Sequence, residues 1–476
     1  MDEIRKRDKE RFIAGHTGSD LLEIYLILWI VVASYALFQQ LLRVNFPIAA
    51  SRLSLKRLMS EYIILILPIV ASVTLPEYNT TLLTALVSST ILLRVFIAPR
   101  SSMYAHKESL EGPKFGFLVG FKALLQLVTI CCILAVDFTV FPRRYAKVET
   151  FGTSLMDLGV GLFIFSMGIT AGPRLRSSHS SMWSKLQLSV MTSIPVLSIG
   201  VVRTIATKSV NYQEHVSEYG LHWNFFYTLG AVSLIVGAAL AVFPFHASPL
   251  VALGTMAGYE YALSHGLLEY ILYAPRTTFV GANREGILSL LGYSVIFIFS
   301  SYLGSLLLIP KKPESAWRRD LIYLLSTSFV VHYMWRYLAN IHHIRVSRRM
   351  ANATYVLWVL ECGCWLVALF LASDLLASGA GEHDDTSGNN MTCAHRKTVP
   401  APTSEDASAS SVILEAVNYN QLATFMLANL GMGSINLSLD TINTKPYMAI
   451  DIIIVYMIIV VLCSVIAHLK KWKLKL

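Results

Sequence analysis

Long apolar runs, returning at short intervals from Leu21 to the far end of the sequence, are the feature that most limits what this chain can fold into. A helix of about 18 to 22 apolar residues crosses the hydrocarbon core of a bilayer, and there every backbone polar group must find its partner inside the protein. Such runs start near Leu21, Tyr62, Thr81, Gly116, Thr153, Leu186, His222, Pro249, Ile287, Asp320, Ala353, Gln421 and Tyr447. The sequence therefore predicts an all-α, polytopic membrane bundle of about 13 transmembrane helices. With 54% hydrophobic and 14% charged residues in 476, a soluble fold is excluded. Residues 1–476 read as one transmembrane domain. Its one long polar insert, about 378–411, is rich in Ser, Thr, Asp, Pro and Gly and cannot bury enough surface to form a core, so it is expected to be disordered and dispensable.

The net charge of +9 comes from Lys and Arg scattered between the apolar runs, where they meet lipid headgroups. That distribution argues against a nucleic-acid partner and for membrane lipids. The opening Met1 to Asp20 stretch is charged throughout, with no apolar core ahead of the first run, so no cleavable signal is expected. Cys131, Cys132, Cys362, Cys364, Cys393 and Cys463 mostly fall in apolar runs without metal-ligand spacing, and they read as buried thiols with no metal.

An odd number of crossings puts the termini on opposite faces and divides the loops into two sets. The N-terminal-side set holds the Asp137 to Asp157 stretch, NYQEHVSEYGLHWN at 211–224, GANREG at 281–286 and VSRRMANAT at 346–354. The other set carries RLSLKR, RLR near Arg174, KKPESAWRR and KKWKLK, with the larger share of Lys and Arg. By the positive-inside rule the C-terminus is cytosolic, and the N-terminus and the motif loops are lumenal. Asn79-Thr-Thr and Asn352-Ala-Thr are glycosylation sequons on that lumenal side, whereas Asn390-Met-Thr lies on the other.

The chemistry is concentrated in DFTVFPRRYAKVETFGTSLMD, Asp137 to Asp157, where a bland turn would serve for connection alone. Asp137, Arg143, Arg144, Lys147, Glu149 and Asp157 stand there at a membrane boundary, where ionisable groups are costly unless partnered. Read in isolation, they make interfacial ion pairs. Two further loops shift that reading: His215, Glu218, His222 and Asn224 in one, Asn283, Arg284 and Glu285 in the other. Together they suit a substrate with a phosphate and several hydroxyls, because guanidinium clamps phosphate while carboxylates and amides read hydroxyls. A desolvated carboxylate is a competent base for a hydroxyl, and a lysine stabilises a developing oxyanion. Lys122, Glu260, His265, Glu269, His332, Arg336 and Glu361 lie in or near the runs and read as buried pairs or snorkelling ends.

At these residues the sequence resembles the inositol acyltransferases of glycosylphosphatidylinositol (GPI) anchor synthesis, known as Gwt1 in fungi and PIG-W in animals. VDFTVFPRRYAKVETFGTSLMDLGVG, YQEHVSEYGLHWNFF, ANREGILSLLGY and SRRMANATYVLW carry the resemblance, which spans essentially the whole chain and fades in the 378–411 insert. It implies an endoplasmic reticulum enzyme that moves a fatty acyl group, typically palmitoyl, from acyl-CoA to the inositol 2-hydroxyl of glucosaminyl-phosphatidylinositol. Acyl-CoA is then a co-substrate, and no cofactor is expected. The resemblance implies Asp137 and Lys147 as the catalytic pair, the first as base and the second as orienter or oxyanion stabiliser. Arg143 and Arg144 would hold a phosphate, and His222 is the rival base. There is no G-x-S-x-G nucleophile elbow, in keeping with direct transfer. A lipid transporter or scramblase, using the charged spans as a polar path, is the alternative.

Overall fold

The computed structural model describes residues 11–12, 15–43, 54–97, 115–177, 182–209, 216–309, 312–378 and 410–473. Every regular element among them is helical. In chain order these are α1 (Leu21–Arg43), α2 (Leu55–Leu65), α3 (Leu67–Thr74), α4 (Asn79–Leu92), α5 (Gly116–Ala135), α6 (Leu158–Ser177), α7 (Met182–Ser209), α8 (Val216–Tyr219), α9 (Phe225–Val242), α10 (Ser248–Ala262), α11 (Leu268–Tyr273), α12 (Phe279–Ala282), α13 (Arg284–Leu307), α14 (Glu314–Asn340), α15 (Ala353–Ser378), α16 (Val412–Tyr419), α17 (Gln421–Ser438) and α18 (Pro446–Leu469).

Each apolar run read from the sequence corresponds to a helix, but 10 helical segments among the described residues are long and apolar enough to cross a membrane. The expectation of about 13 spans also counted α10, α14 and α17. α10 stops at a π-turn over Leu263–Leu267, where His265 and Gly266 leave helical geometry. α14 is long, but Arg318, Arg319, Asp320 and Arg336 make it too polar, and it buries one stripe through Trp317, Leu324, Ser328 and Trp335. α17 carries Asn429, Ser434 and Asn436. Polar side chains are what lower the hydropathy of such helices, and length alone does not restore it.

Small residues let the helices close on one another. Cβ atoms built on Gly168 and Gly172 of α6 would fall 1.9 Å from Ser300 Oγ and 2.1 Å from Ser301 O of α13, so this pair packs backbone to backbone. Larger side chains fill the centre, with Tyr35, Phe121, Phe165 and Phe370 in ring contact between α1, α5, α6 and α15. α7 and α9 form an antiparallel hairpin on the periphery; Ser189 Oγ donates to Ser233 O at 2.6 Å, and Asn224 Nδ2 donates to Gly200 O at 2.9 Å.

Backbone bonds gather the motif loops at one end of the bundle. Ser19 N–H donates to Thr153 O (2.8 Å), Gly152 N–H to Val346 O (2.9 Å) and Leu221 N–H to Ala282 O (3.0 Å). The first of these junctions needs glycine on both strands. Gly18 (φ 94) and Gly152 (φ 145) are left-handed, and added Cβ atoms would lie 2.2 Å from Thr153 O and 2.3 Å from Thr17 O.

At the opposite end, α15 stops at Ser378, and the polar insert lies outside the described residues apart from its edges. Its return is pinned by Glu61, which accepts from Ser411 Oγ (2.7 Å), Val412 N–H (3.1 Å), Ile413 N–H (2.9 Å) and Arg57 Nε (3.0 Å). Cys131, Cys132, Cys362 and Cys364 are buried, whereas Cys463 is exposed because it falls on the bare outer face of α18; Cys393 lies outside the described residues. Two sequons lose their value as topology markers. Asn79 is buried and donates to Ser72 O, and Asn352 is buried with its carbonyl oxygen accepting from Ser347, Thr354 and Tyr355. An amide held that way cannot carry a glycan in the folded protein.

Candidate active site

Beyond α5 the chain turns sharply, and Arg143 closes the turn. Its guanidinium donates to the carbonyls of Val136 (2.8 Å), Phe138 (2.9 Å) and Phe141 (2.9 and 3.1 Å) and sits 4.1 Å over the Phe12 ring. The last carbonyls of a helix have no partner within it, and five fixed N–H donors supply one. Burial pulls the Arg143 pKa down to about 10, while the Asp137 carboxylate nearby pushes it up. Arg143 is thus spent on the backbone. Arg144 faces outward instead, 45% exposed, and pairs with Glu23 at 2.7 Å beside a surface hollow lined by Thr17, Asp20 and Thr153.

Asp137 is buried at the end of α5, where Asn436 Nδ2 of α17 donates to its carboxylate at 2.6 Å. Asp157 organises the rest of the motif. It accepts from Val148 N–H (3.3 Å to both oxygens) and Ser154 Oγ (2.8 Å), which ties 148–157 into a cradle. From the 346–354 loop, Arg348 Nε reaches the same carboxylate at 2.8 Å. Burial raises the pKa of Asp157, and Arg348 opposes it. Burial lowers that of Arg348, but Glu218 and Asp157 outweigh it and hold the guanidinium above its usual range. The cation is therefore secure.

The charges continue outward from Arg348. Its NH1 lies 3.8 Å from Glu218 Oε1, and the same oxygen accepts from Lys147 Nζ at 2.6 Å. Asp157, Arg348, Glu218 and Lys147 thus alternate in sign from a fully buried acid to a lysine whose side chain is 36% exposed. Two loops and the 346–354 segment meet in this chain of ions, with Lys147 at its outer end.

A second cluster surrounds Glu285, which takes Arg276 (2.5 and 3.0 Å) and Arg349 (2.8 Å). Arg284 Nε lies 3.8 Å from the Glu285 oxygen that takes Arg349, while its guanidinium donates to the carbonyls of Ile271 (2.6 Å), Leu272 (3.3 Å) and Ala274. Asn283 Oδ1 accepts from His222 N–H at 2.8 Å and holds the 216–224 loop in place. Asn224 is the N-cap of α9, accepting from Phe226 and Tyr227 N–H, a role typically worth about 1 kcal/mol. His222 is exposed, its Nδ1 2.7 Å from Lys208 Nζ.

Of the residues expected at the site, Lys147, Arg144 and His222 thus reach the surface. Asp137, Asp157, Asn283 and Glu285 are buried in polar contacts, and Arg143, Arg284 and Asn224 hold backbone. Glu149 is half-buried, with its N–H on His16 O, and His215 lies outside the described residues. Glu218, Arg348, Arg276 and Asn436 complete the arrangement. The signal for the first two was present in the YQEHVSEYGLHW and SRRM blocks; nothing local in α17 marks Asn436. Among the described residues no three His, Cys, Asp or Glu side chains group to hold a metal.

Fold and site together define a multi-pass membrane protein that gathers its ionisable chemistry at one end of the bundle. The family called GWT1 matches residues 5–467, and the chain belongs to it. It is 33% identical over 497 residues to GPI-anchored wall transfer protein 1 of Yarrowia lipolytica, covering 98% of both chains. Similarity to the Aspergillus fumigatus protein of that name is 35% over 504 residues and 96% of each chain. To phosphatidylinositol-glycan biosynthesis class W protein of Dictyostelium discoideum it is 31% over 535 residues, the whole of both chains.

Proposed function

We propose that this protein acts in GPI-anchor biosynthesis as an O-acyltransferase of the endoplasmic reticulum membrane. It moves a fatty acyl group, palmitoyl foremost, from acyl-CoA to the inositol 2-hydroxyl of glucosaminyl-phosphatidylinositol. The names of its relatives support the pathway. The observation that carries the chemistry is the ion chain behind Lys147, in which buried Asp157 and Arg348 back Glu218 and Glu218 holds the ammonium partly exposed at the motif end.

In this mechanism Asp137 takes the proton of the 2-hydroxyl as its oxygen attacks the thioester carbonyl. Lys147 stabilises the oxyanion of the tetrahedral intermediate. Collapse breaks the C–S bond, and the CoA thiolate leaves with the proton returned from Asp137. Glu218 holds Lys147 until substrate arrives, and Asp157 and Arg348 hold Glu218 and the loop. In this reading the motif end faces the lumen, the side with the smaller share of Lys and Arg.

Purified protein in detergent, given acyl-CoA and the glycolipid, should form inositol-acylated product. Transport has no meaning in micelles, so a protein that forms none there but moves lipid in vesicles would be a transporter instead.

A further inference from the structure

The arginines that the sequence offers for phosphate are mostly committed elsewhere: Arg143 and Arg284 to carbonyls, Arg276 and Arg349 to Glu285. A phosphate-bearing substrate needs other cations, and the last two turns of α7 supply them. Arg203 lies half-buried there, its guanidinium 5.8 Å from the Phe226 ring of α9 and next in sequence to Thr204, whose hydroxyl accepts from Asn224 Nδ2 at 3.0 Å. Among the described residues it forms no ion pair. Five residues on, Lys208 points its ammonium at His222 Nδ1, 2.7 Å away. An ammonium has only donors, so Nδ1 is the acceptor, and a neutral ring then carries its proton on Nε2. Arg203 and the Lys208–His222 pair thus offer donors along the seam between α7 and the start of α9, and among the described residues no acid pairs with them.

The flanks of this group differ. On one side Val201, Val202 and Ile205 are 47%, 63% and 64% exposed on the outer face of a helix apolar enough to cross a membrane. On the other, Tyr219 and Glu218 lead to Lys147. Apolar face, cations and polar ion chain follow the order of a glycerophospholipid with a polyol headgroup: acyl chains, phosphodiester, ring.

We infer that Arg203, with Lys208 and His222, receives the phosphodiester of the lipid acceptor at the α7–α9 seam and so sets the inositol ring over Lys147. The inference rests on the acceptor named above. A lone basic residue at a helix end ordinarily snorkels to headgroups of any kind. What separates Arg203 from that behaviour is its place on an aromatic ring beside the ion chain, which ties the phosphate to one position.

The test is direct binding of dioctanoyl phosphatidylinositol to the full-length protein in detergent, which needs no turnover. Arg203→Gln should bind at least about tenfold more weakly, as expected for loss of a charge-assisted contact to phosphate, and Arg203→Lys should recover part of it. Binding of dioctanoylglycerol and of CoA should not change. In the acylation assay the KM for glycolipid should rise while that for acyl-CoA holds. Should Arg203→Gln fold poorly, Lys208→Gln, at an exposed position, carries the same test with a smaller effect. Unchanged phosphatidylinositol binding overturns the inference, as does a loss shared with dioctanoylglycerol, which assigns Arg203 to acyl-chain packing. Loss of CoA binding instead assigns the cations to the donor. Arg203-dependent phosphatidylinositol binding in a protein that forms no acylated product would leave this site standing and remove the acyltransferase reading.

Discussion

Two acids in this bundle are treated in opposite ways. Glu361 lies eight residues into α15, roughly 12 Å from its start at helical rise. It is closed in by donors from neighbouring helices: Tyr25 hydroxyl (2.9 Å), His332 Nδ1 (3.1 Å) and Trp335 Nε1 (2.6 Å). Glu218 sits on a short helix between loops and is shared by two full cations, Lys147 at 2.6 Å and Arg348 at 3.8 Å. Its side chain is 16% exposed against 5% for Glu361. Three helix-borne donors hold Glu361, with Trp335 Nε1 the shortest contact. The ion chain at the bundle end is carried on loops and a short helix, and Lys147 at its outer end is 36% exposed. Glu361 is thus held by donors on two helices, α1 and α14, whereas Glu218 is held by cations on two loops, one of them the partly exposed Lys147.

The largest effect should separate the two regions by kind. Asp137→Asn keeps size and hydrogen bonding and removes the proposed base, so purified variant should turn over about 100 to 10,000-fold more slowly, at unchanged thermal stability in detergent. If it runs near the wild-type rate while folded His222→Ala is dead, the base is His222. If both are active, the motif end is structural, and the comparison with Glu361 collapses.

Next is Arg348→Leu. It strips Asp157 and Glu218 of a buried cation, and breaking such a pair typically costs about 3 to 5 kcal/mol. The unfolding midpoint should drop sharply, and the double variant with Asp157→Asn should recover part of the loss. A stable Arg348→Leu would show that the ion chain is not what ties these loops together.

Lys147→Arg should fall between. Charge is kept, but a planar fork replaces a point donor, so acyl transfer should be mostly lost with Glu218 still paired and stability near wild type. Full activity would make Lys147 a lipid anchor.

Glu361→Gln should have the smallest effect, about 1 to 3 kcal/mol of stability from imperfectly satisfied donors, with activity per folded molecule unchanged. A folded but inactive Glu361→Gln would bring the interior acid into the mechanism beside the loop charges.

Much of this was legible in the sequence. Helix starts at Leu21, Gly116, Ala353 and Gln421 fall where the apolar runs place them, because a backbone in hydrocarbon must bond to itself. Asp137, Lys147 and Asp157 stand in one recognisable block. What could not be read was allegiance: Arg143 and Arg284 look like phosphate clamps and are backbone caps, and Asn79 and Asn352 look like glycan acceptors and are buried. A guanidinium or an amide has the same side chain in either role. Only the carbonyls and N–H groups placed around it decide between them.

By itself the sequence determined that the chain must be a helical membrane bundle, since continuous apolar runs of about 20 residues match a spanning helix and not the short alternating strands of a barrel, and that its chemistry lies in a few charged loops. Tertiary structure decided which charges meet. Asp137 meets Asn436 across 299 residues, and Lys147 meets Glu218 across 71. Helix periodicity is a local property, written into every few residues by the shape of the backbone. An ion pair depends on where two distant segments come to rest, and that is settled by the packing of all the helices between them.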